Sequence, residues 1–459
     1  MSQLSILPLA PWYWRSLPLK ERTGADIFEQ LFSQDDIATL LESPYPTPPD
    51  YPYLSRYSLC AGKPRQIEGK SQLWTPELGQ IFSFLQNLLK REKLNPQNLP
   101  ESLPFQGGWL GWLGYDAAWE IEQLPYLKKD TLPFPVAYWY EPENFAILDH
   151  QSQTLWLAAS DPDNLDLLEK SLEQSFPLEA SITANPPLEL TFETTQAQYE
   201  AMVTQAQSHI QQGDIFQANL SLRFQAQSSL SSWSVYRKLQ AINPSPFASY
   251  WRSPWGSVVS CSPERLVQLD GKQAQTRPIA GTRPRGLSAE EEIHLQQELK
   301  SNLKEQAEHI MLVDLERNDL GRVCEWGSVK VDELLTIERY SHVIHLVSNV
   351  SGILKPDFNA VDLIRALFPG GTITGCPKVR CMEIIETLEP VRRSLFYGSC
   401  GYLDQRGNLD LNILIRTLLF TASGLVVGQV GAGIVADSNP TREWEESLQK
   451  AQAQLSALK

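Results

Sequence analysis

The strongest constraint on how this chain folds is the mixing of two apolar periodicities within one continuous stretch. Strand-like segments, IFQANLSLRF (215–224) and GSVVSCSPERLVQL (256–269), are interleaved with segments whose apolar residues recur at helical spacing beside charged faces. The clearest of the helical segments are TTQAQYEAMVTQAQSHIQQGD (194–214), EEEIHLQQELKSNLKEQAEHIMLVDL (290–315) and TREWEESLQKAQAQLSAL (441–458). Sheet faces and helix stripes generated side by side must bury against each other, so one α/β mass is expected rather than several beads. The helix of 194–214 should open at Thr194 or Thr195 and stop at Gly213. Val136–Ile147 and Thr154–Ala159 read as strands, and the proline-rich PYPTPPDYPY (44–53) as a loop. Leu178–Thr191, with Pro186 and Pro187, reads as a connection between an amino-terminal region, 1–180, and a second region, 190–455.

Composition excludes several partner classes. A formal charge of −15 repels nucleic acid and anionic membrane, and no run of Lys and Arg offsets it. No uninterrupted apolar stretch approaches the ~18 residues of a membrane span, and MSQLSILPLAPWYWR lacks the charged start of a secretory signal. A cytoplasmic protein binding neither nucleic acid nor membrane is expected. The six cysteines are scattered without C-x-x-C pairs or zinc-like spacing, as expected for reduced structural thiols.

Three segments carry candidate chemistry. In the last helix Glu443, Glu446 and Lys450 are spaced i, i+3, i+7 and share one face, open to reading as a solvated salt-bridged stripe or as a site. Glu305 and Glu308 repeat the i, i+3 spacing, just before Ile310, Met311, Leu312 and Val313 run into a buried segment. A carboxylate entering a core needs a partner, and a hard cation such as magnesium at Glu308 and Glu446 is one candidate. FPGGTITGCPKVR (368–380) and GQVGAGIVADS (428–438) are glycine-rich, yet Lys378 follows a proline and no G-x-G-x-x-G is present, which disfavours a phosphate cradle. Arg416 and Lys450 are suited instead to holding carboxylates. His342 and His345 lie in one strand-like stretch on opposite sides, so at most one lines a given pocket.

The motifs PIAGTRPRG (278–286), EHIMLVDLERNDLG (308–321), RYSHVIHLVSNVSG (339–352), FPGGTITGCPKVRCMEIIE (368–386), GNLDLNILIRT (407–417) and GAGIVADS (431–438) together resemble the chorismate-utilising enzymes. That family includes anthranilate synthase component I, aminodeoxychorismate synthase component I, isochorismate synthase and salicylate synthase. Weaker likeness extends to LLES (40–43), RYS (56–58) and GGWLGWLGYD (107–116). The resemblance implies a large two-sheet α/β sandwich of the anthranilate synthase component I type, with the active site between its β-sheets. It also implies chorismate as substrate and Mg2+ held by Glu308 and Glu446, with Glu443 beside them. Glu264 is similar to the general acid that protonates the departing 4-hydroxyl, with His345, Thr372 and Lys450 as further catalytic residues. Ala280, Gly281, Thr282, Tyr397, Arg416, Gly431, Gly433 and Lys450 match substrate-binding positions. Leu41, Glu42, Ser43, Asn243, Pro244 and Phe247 match a tryptophan-binding region, although Ala248 and Ser249 follow where a methionine is usual.

Water-using members of the family carry a lysine base where this chain has Gln217, so isochorismate and salicylate synthesis are not expected. Ammonia needs no such base. Among ammonia users, Ala280 in PIAGT resembles anthranilate synthases, while QANLSLRF, FPGGTITG and YGSCGYL look more like aminodeoxychorismate synthases. Three motifs outweigh one residue, so 4-amino-4-deoxychorismate, on the route to 4-aminobenzoate and folate, is the expected product. Anthranilate, on the route to tryptophan, is the alternative, and a non-catalytic regulator binding an aromatic amino acid is a distant one. With no glutaminase Cys-His-Glu set in the chain, ammonia is expected from a separate glutamine amidotransferase subunit.

Overall fold

The computed structural model describes residues 10–46, 52–91, 102–173, 189–339 and 343–459. Among these, one antiparallel sheet has twelve strands and a second has ten. Both sheets draw strands from each half of the chain. In the larger sheet Ala38–Glu42 pairs with Phe247–Ser253, and in the smaller Gly108–Leu113 pairs with Ser399–Asp404.

Period-two alternation explains what lies between the sheets. Along the strand Gln217–Gln227, Ala218, Leu220, Leu222 and Phe224 join an apolar cluster with Tyr199, Val203, Trp233, Tyr236 and Ala451. That cluster belongs to helices Gln196–Gln211, Ser232–Ile242 and Pro440–Ala457. The intervening Gln217, Asn219, Ser221 and Arg223 must therefore project from the opposite face, towards the second sheet. The neighbouring strand Leu425–Ile434 behaves alike: Val426, Val430, Ala432 and Ile434 pack with the helices, leaving Gln429, Gly431 and Gly433 on the other side. A second apolar cluster joins Trp109, Trp112, Trp139, Leu266 and Leu411 of the ten-stranded sheet to Trp251, Leu419 and Val427 of the twelve-stranded one. Dense aromatic packing thus fills much of the gap between the sheets, and the polar face of Gln217–Gln227 lies beyond it.

Local expectations meet the structure unevenly. Helix Gln196–Gln211 starts at Thr195, whose side chain accepts from the Gln198 amide while the Gln198 side chain caps the Thr195 amide. Thr154–Ala159 is a strand as read. Val136–Ile147 instead divides into Ala137–Tyr140 and Asn144–Asp149, which belong to different sheets, so the chain crosses between layers where one strand was expected. The helical run of 290–315 breaks at Asn302 into Ala289–Ser301 and Leu303–Val323. Leu312 and Val313 are buried there, but Ile310 is exposed. The described part of 44–53 is irregular apart from a short turn of 3-10 helix at Pro52–Ser55. Most of 178–191, and His342, lie outside the described residues. Among the described residues no helix is long and apolar enough to cross a membrane.

Candidate active site

Helix Leu303–Val323 is anchored by His309, fully buried, whose Nε2 lies 2.6 Å from Ser348 Oγ on the strand Val343–Ile353. Anchored there, it carries Glu308 to the polar face of the larger sheet, where Gln217 Nε2 donates to Glu308 Oε1 at 2.6 Å. The register pairs Asn219 with Gly433, and a β-carbon at 433 would stand 2.3 Å from Gln217 Nε2 and 3.2 Å from Glu308 Oε1. Glycine at 433 is thus a steric requirement of this contact. From the other side, helix Pro440–Ala457 brings Lys450 Nζ to 2.8 Å from Glu446 Oε1 and 3.1 Å from the Gly431 carbonyl. The stripe read from the sequence therefore splits. Glu443 lies with Ser447 and Ala451 on the buried face, whereas Glu446 and Lys450 stay half-exposed at the margin, tied to the same short strand segment as Glu308.

The opposite wall comes from the ten-stranded sheet. Strand Ile279–Pro284 pairs with Val343–Ile353 through a bulge between Ala280 and Thr282. Gly281, at φ +65°, forms that bulge; a β-carbon there would lie 2.5 Å from Glu305 Oε2 and 2.6 Å from Leu299 Cδ1. The bulge turns the Gly281 carbonyl to His345, whose ring N–H donates to it. Burial, reinforced by the nearby Arg416 charge, pushes the His345 imidazole down to about 3, so it is neutral at physiological pH. Ala280 is half-buried on the same strand; the side chain of Thr282 lies outside the described residues.

Glu264 sits in the short connection between strands Gly256–Ser262 and Arg265–Asp270, 5% exposed. Its carbonyl accepts from the Ile413 amide at 3.0 Å and its amide is held by Ser262 Oγ. Desolvation drives its carboxyl from 4.5 up to about 8, opposed by the Thr372 hydroxyl, the Ile279 backbone and Arg416 and reinforced by Glu316. It is a protonated acid at neutral pH. Arg416, at φ +50°, approaches Asn243 Oδ1 at 3.4 Å, and among the described residues no carboxylate pairs with it. A half-buried guanidinium without a carboxylate partner is poised for an anionic ligand.

Asn219 joins the two walls. It lies opposite Gly433, its Nδ2 donates to the Thr372 carbonyl at 3.3 Å, and its own carbonyl accepts from Arg393 Nη2 at 2.6 Å. Arg393 also donates to the Ile373 carbonyl at 2.8 Å, pairs with Glu389 at 2.7 Å and lies over the Tyr397 ring, 4.6 Å from its centroid. The hydroxyls of Thr372 and Tyr397 are buried without a well-formed hydrogen bond, as are Gln217 Oε1 and Asn219 Oδ1. Four such atoms in one region mark a place where a polar ligand or water would complete their hydrogen bonds.

The site positions read from the sequence whose side chains are described lie in or beside these two walls, except Glu443, on the buried face of its helix with Ser447 and Ala451, and the tryptophan set. Leu41, Glu42, Ser43 and Phe247 line a separate cavity of about 120 Å³ with Arg265, Asp410 and Tyr402. Asn243 is not in that lining; its side chain turns to Arg416 and the Cys261 carbonyl, and Pro244 is absent from it too. Lys378 Nζ is taken up by Asp319 Oδ2 at 2.6 Å and the Leu367 carbonyl at 2.8 Å, an internal ion pair rather than a phosphate contact. The residue the sequence reading missed is Arg393: nothing in RRS marks it, because its importance lies in joining segments distant along the chain.

The chain is similar to known proteins over most of its length. Residues 38–456 match the family described as chorismate binding enzyme. A Synechocystis protein named anthranilate synthase component I-like protein is 68% identical over 99% of this chain and 93% of its own length. Aminodeoxychorismate synthase component 1 of Bacillus subtilis is 40% identical over 97% of this chain and 96% of its own. A second Synechocystis protein, anthranilate synthase component 1, is 40% identical over 88% of each chain. The crystal structure of anthranilate synthase component I from Streptococcus pneumoniae superposes with a TM-score of 0.77 at 31% identity, covering 87% of this chain and 92% of that one. With its fold matched and 38–456 spanning both walls of the site, the chain belongs to the chorismate binding enzyme family.

Proposed function

We propose that the protein aminates chorismate with ammonia, and that Glu264 protonates the departing hydroxyl. The observation that carries this reading is the pairing of a buried acid held protonated to about pH 8 with Arg416, a half-buried cation lacking a carboxylate partner among the described residues. Chorismate is a dianion with a poor leaving group, so its site needs cationic clamps and a proton donor. Arg416 and Lys450 serve as the clamps, with neutral His345 and the open hydroxyls of Thr372 and Tyr397 left to hydrogen-bond the ring substituents. In the balanced step a C–N bond forms to ammonia while the ring C–O bond breaks. The hydroxyl leaves as water with the Glu264 proton, and the new ammonium later returns a proton to solvent. Gln217 has no basic nitrogen and its amide is engaged with Glu308, which favours ammonia over water as nucleophile.

Magnesium is part of the proposal. Among the described residues no three His, Cys, Asp or Glu side chains form a metal cluster by themselves. The donors present still suit a hard cation that keeps waters and shares a ligand with its substrate: carboxylates of Glu308 and Glu446 on either side of Gly431–Gly433, with Glu443 behind. Bound there, the ion would neutralise a substrate carboxylate. Ammonia is proposed to come from a glutamine amidotransferase partner, in keeping with the component I names of the relatives.

Two products are in contention. The name of the 68% identical relative favours anthranilate, the alternative to the 4-amino product that the motifs suggest, and Ala280 agrees with it. One observation favours 4-amino-4-deoxychorismate: Synechocystis has a distinct anthranilate synthase component 1 that is only 40% identical to this chain. Chromatography of the products from chorismate, magnesium and excess ammonium, with and without an aminodeoxychorismate lyase, decides. Anthranilate without lyase establishes the first reading, and 4-aminobenzoate only with lyase establishes the second. Absence of any aminated product refutes the proposal.

A further inference from the structure

Along the polar face of strand Gln217–Gln227 the side chains differ in how completely they are partnered. Towards the far end Ser221 Oγ donates to Glu389 Oε1 at 2.7 Å and accepts from Gln429 Nε2 at 2.7 Å, while Arg223 donates to Gln429 Oε1 and to the Arg392 carbonyl. At the site end Gln217 and Asn219 each use only the amide nitrogen: Nε2 donates to Glu308 Oε1 at 2.6 Å, and Nδ2 to the Thr372 carbonyl at 3.3 Å. Both partners are acceptors, so these contacts fix which end of each amide is nitrogen. The oxygens, Gln217 Oε1 and Asn219 Oδ1, are turned elsewhere, and both are buried with no hydrogen-bond partner among the described residues. Two residues apart on one strand, the side chains share a face. Gly433 stands directly opposite Asn219, so no cross-strand side chain covers the Asn219 amide. Gln217 Nε2 leans over the same glycine, 2.3 Å from where its β-carbon would stand, and both amides therefore border Gly433 beside Glu308.

We propose that Asn219 Oδ1, with Gln217 Oε1 on the same face, holds the ammonia nucleophile by its N–H groups, which makes Asn219 a residue that selects the nucleophile. The inference rests on the amination proposed above. Ammonia carries three N–H donors and one lone pair, and the lone pair must stay free to meet the ring carbon. A holder for it therefore needs acceptors and no donor aimed at the nitrogen. The two amides meet that need because their own N–H groups are engaged by Glu308 and by the Thr372 carbonyl, leaving oxygen as the group each can offer. Amide oxygens are also uncharged. A carboxylate in the same place would favour ammonium, whose lone pair is already spent on a proton. Neither amide is basic enough to deprotonate water, so the arrangement serves a nucleophile that arrives as the free base. The strand fixes the position of Asn219 from both edges: its amide donates to the Thr374 carbonyl at 2.9 Å, and its carbonyl accepts from Arg393 Nη2 at 2.6 Å.

The test is Asn219→Leu, which keeps the branched shape of the side chain and removes its acceptor. Initial rates with chorismate and magnesium are measured against ammonium at one fixed pH, so that the free-base fraction is constant, and against chorismate at saturating ammonium. Loss of one hydrogen bond to the nucleophile should raise the ammonium KM about fivefold while the chorismate KM stays at the wild-type value. Asn219→Ser, whose hydroxyl still accepts but on a shorter arm, should raise the ammonium KM by less, and it serves if the Leu variant does not fold. An ammonium KM that stays at the wild-type value, with or without a fall in kcat, overturns the inference, since Oδ1 then holds no more than a water. A rise shared equally by both KM values overturns it as well, because the side chain then shapes the site as a whole. Wild-type protein that forms no aminated product refutes the amination and this inference together, whereas wild-type amination with an unmoved ammonium KM in the variants refutes this inference alone.

Discussion

Glu264→Gln should abolish turnover and at the same time stabilise the protein at alkaline pH. The wild-type carboxyl moves from 4.5 to about 8 on folding, because burial strips its charged form of water. A carboxyl raised in this way contributes stability that is fully present below the unfolded value and is lost as pH rises through the folded one. Above pH 8 the unfolded chain has released the proton and the folded chain must follow, at a cost of about 5 kcal/mol; at pH 7 the cost is about 3 kcal/mol. Glutamine has the same shape and no charge to bury, so the variant's advantage should be near zero at pH 4, grow through pH 5 to 7 and level off above pH 8. Urea denaturation of both proteins across that range measures the difference, in which groups common to both cancel. Turnover should fall by about 10²–10⁴ if this carboxyl is the proton donor. A stability difference that does not change with pH would refute the burial argument, whatever happened to activity.

Glu446→Ala should remove ammonium- and magnesium-dependent turnover while leaving the circular dichroism and melting curve unchanged, because Glu446 is a half-exposed side chain that, among the described residues, pairs with Lys450 alone. Near-normal activity in that variant would sink the metal assignment. Gly433→Ala places a β-carbon 2.3 Å from Gln217 Nε2, so it should lower kcat at least tenfold, with the loss relieved when Gln217 is shortened to Ser in the same chain. Kinetics of the single and double variants check this. Arg393→Met leaves Glu389 buried without its cation and should destabilise by about 3–5 kcal/mol, measured as a lowered denaturation midpoint.

Much of the site was legible in the sequence because its members sit in long, ordered motifs. The resemblance carried by EHIMLVDLERNDLG, FPGGTITGCPKVR and GAGIVADS selects Glu308, Thr372 and Gly433, and the structure draws all three towards one gap between the sheets. Helix periodicity likewise locates Pro440–Ala457, and a capping box locates the start of Gln196–Gln211. Local patterns of this kind are set by residues within a turn or two of one another.

What sequence could not decide depends on residues brought together from distant positions. Periodicity puts Glu443, Glu446 and Lys450 on one helix face, but only docking against Leu425–Ile434 buries Glu443 and points Lys450 at the Gly431 carbonyl. Val136–Ile147 carries one continuous strand-like composition, yet its two halves pair inside different sheets, Ala137–Tyr140 with Gly108–Leu113 and Asn144–Asp149 with Thr154–Ala159, a division set by distant partners. Glu264 is chemically an ordinary glutamate in SPERL; its acidity is a property of the dry space enclosed by Thr372, Arg416 and Glu316, which lie 52 to 152 positions further along the chain. Local periodicity pointed to the α/β class, because it acts over a few bonds, and the family resemblance of the long motifs supplied most of the candidate residues. Charge state, counter-ions and the joining of two walls through Asn219 and Arg393 came from tertiary structure alone, because desolvation and Coulomb energy depend on distance in space.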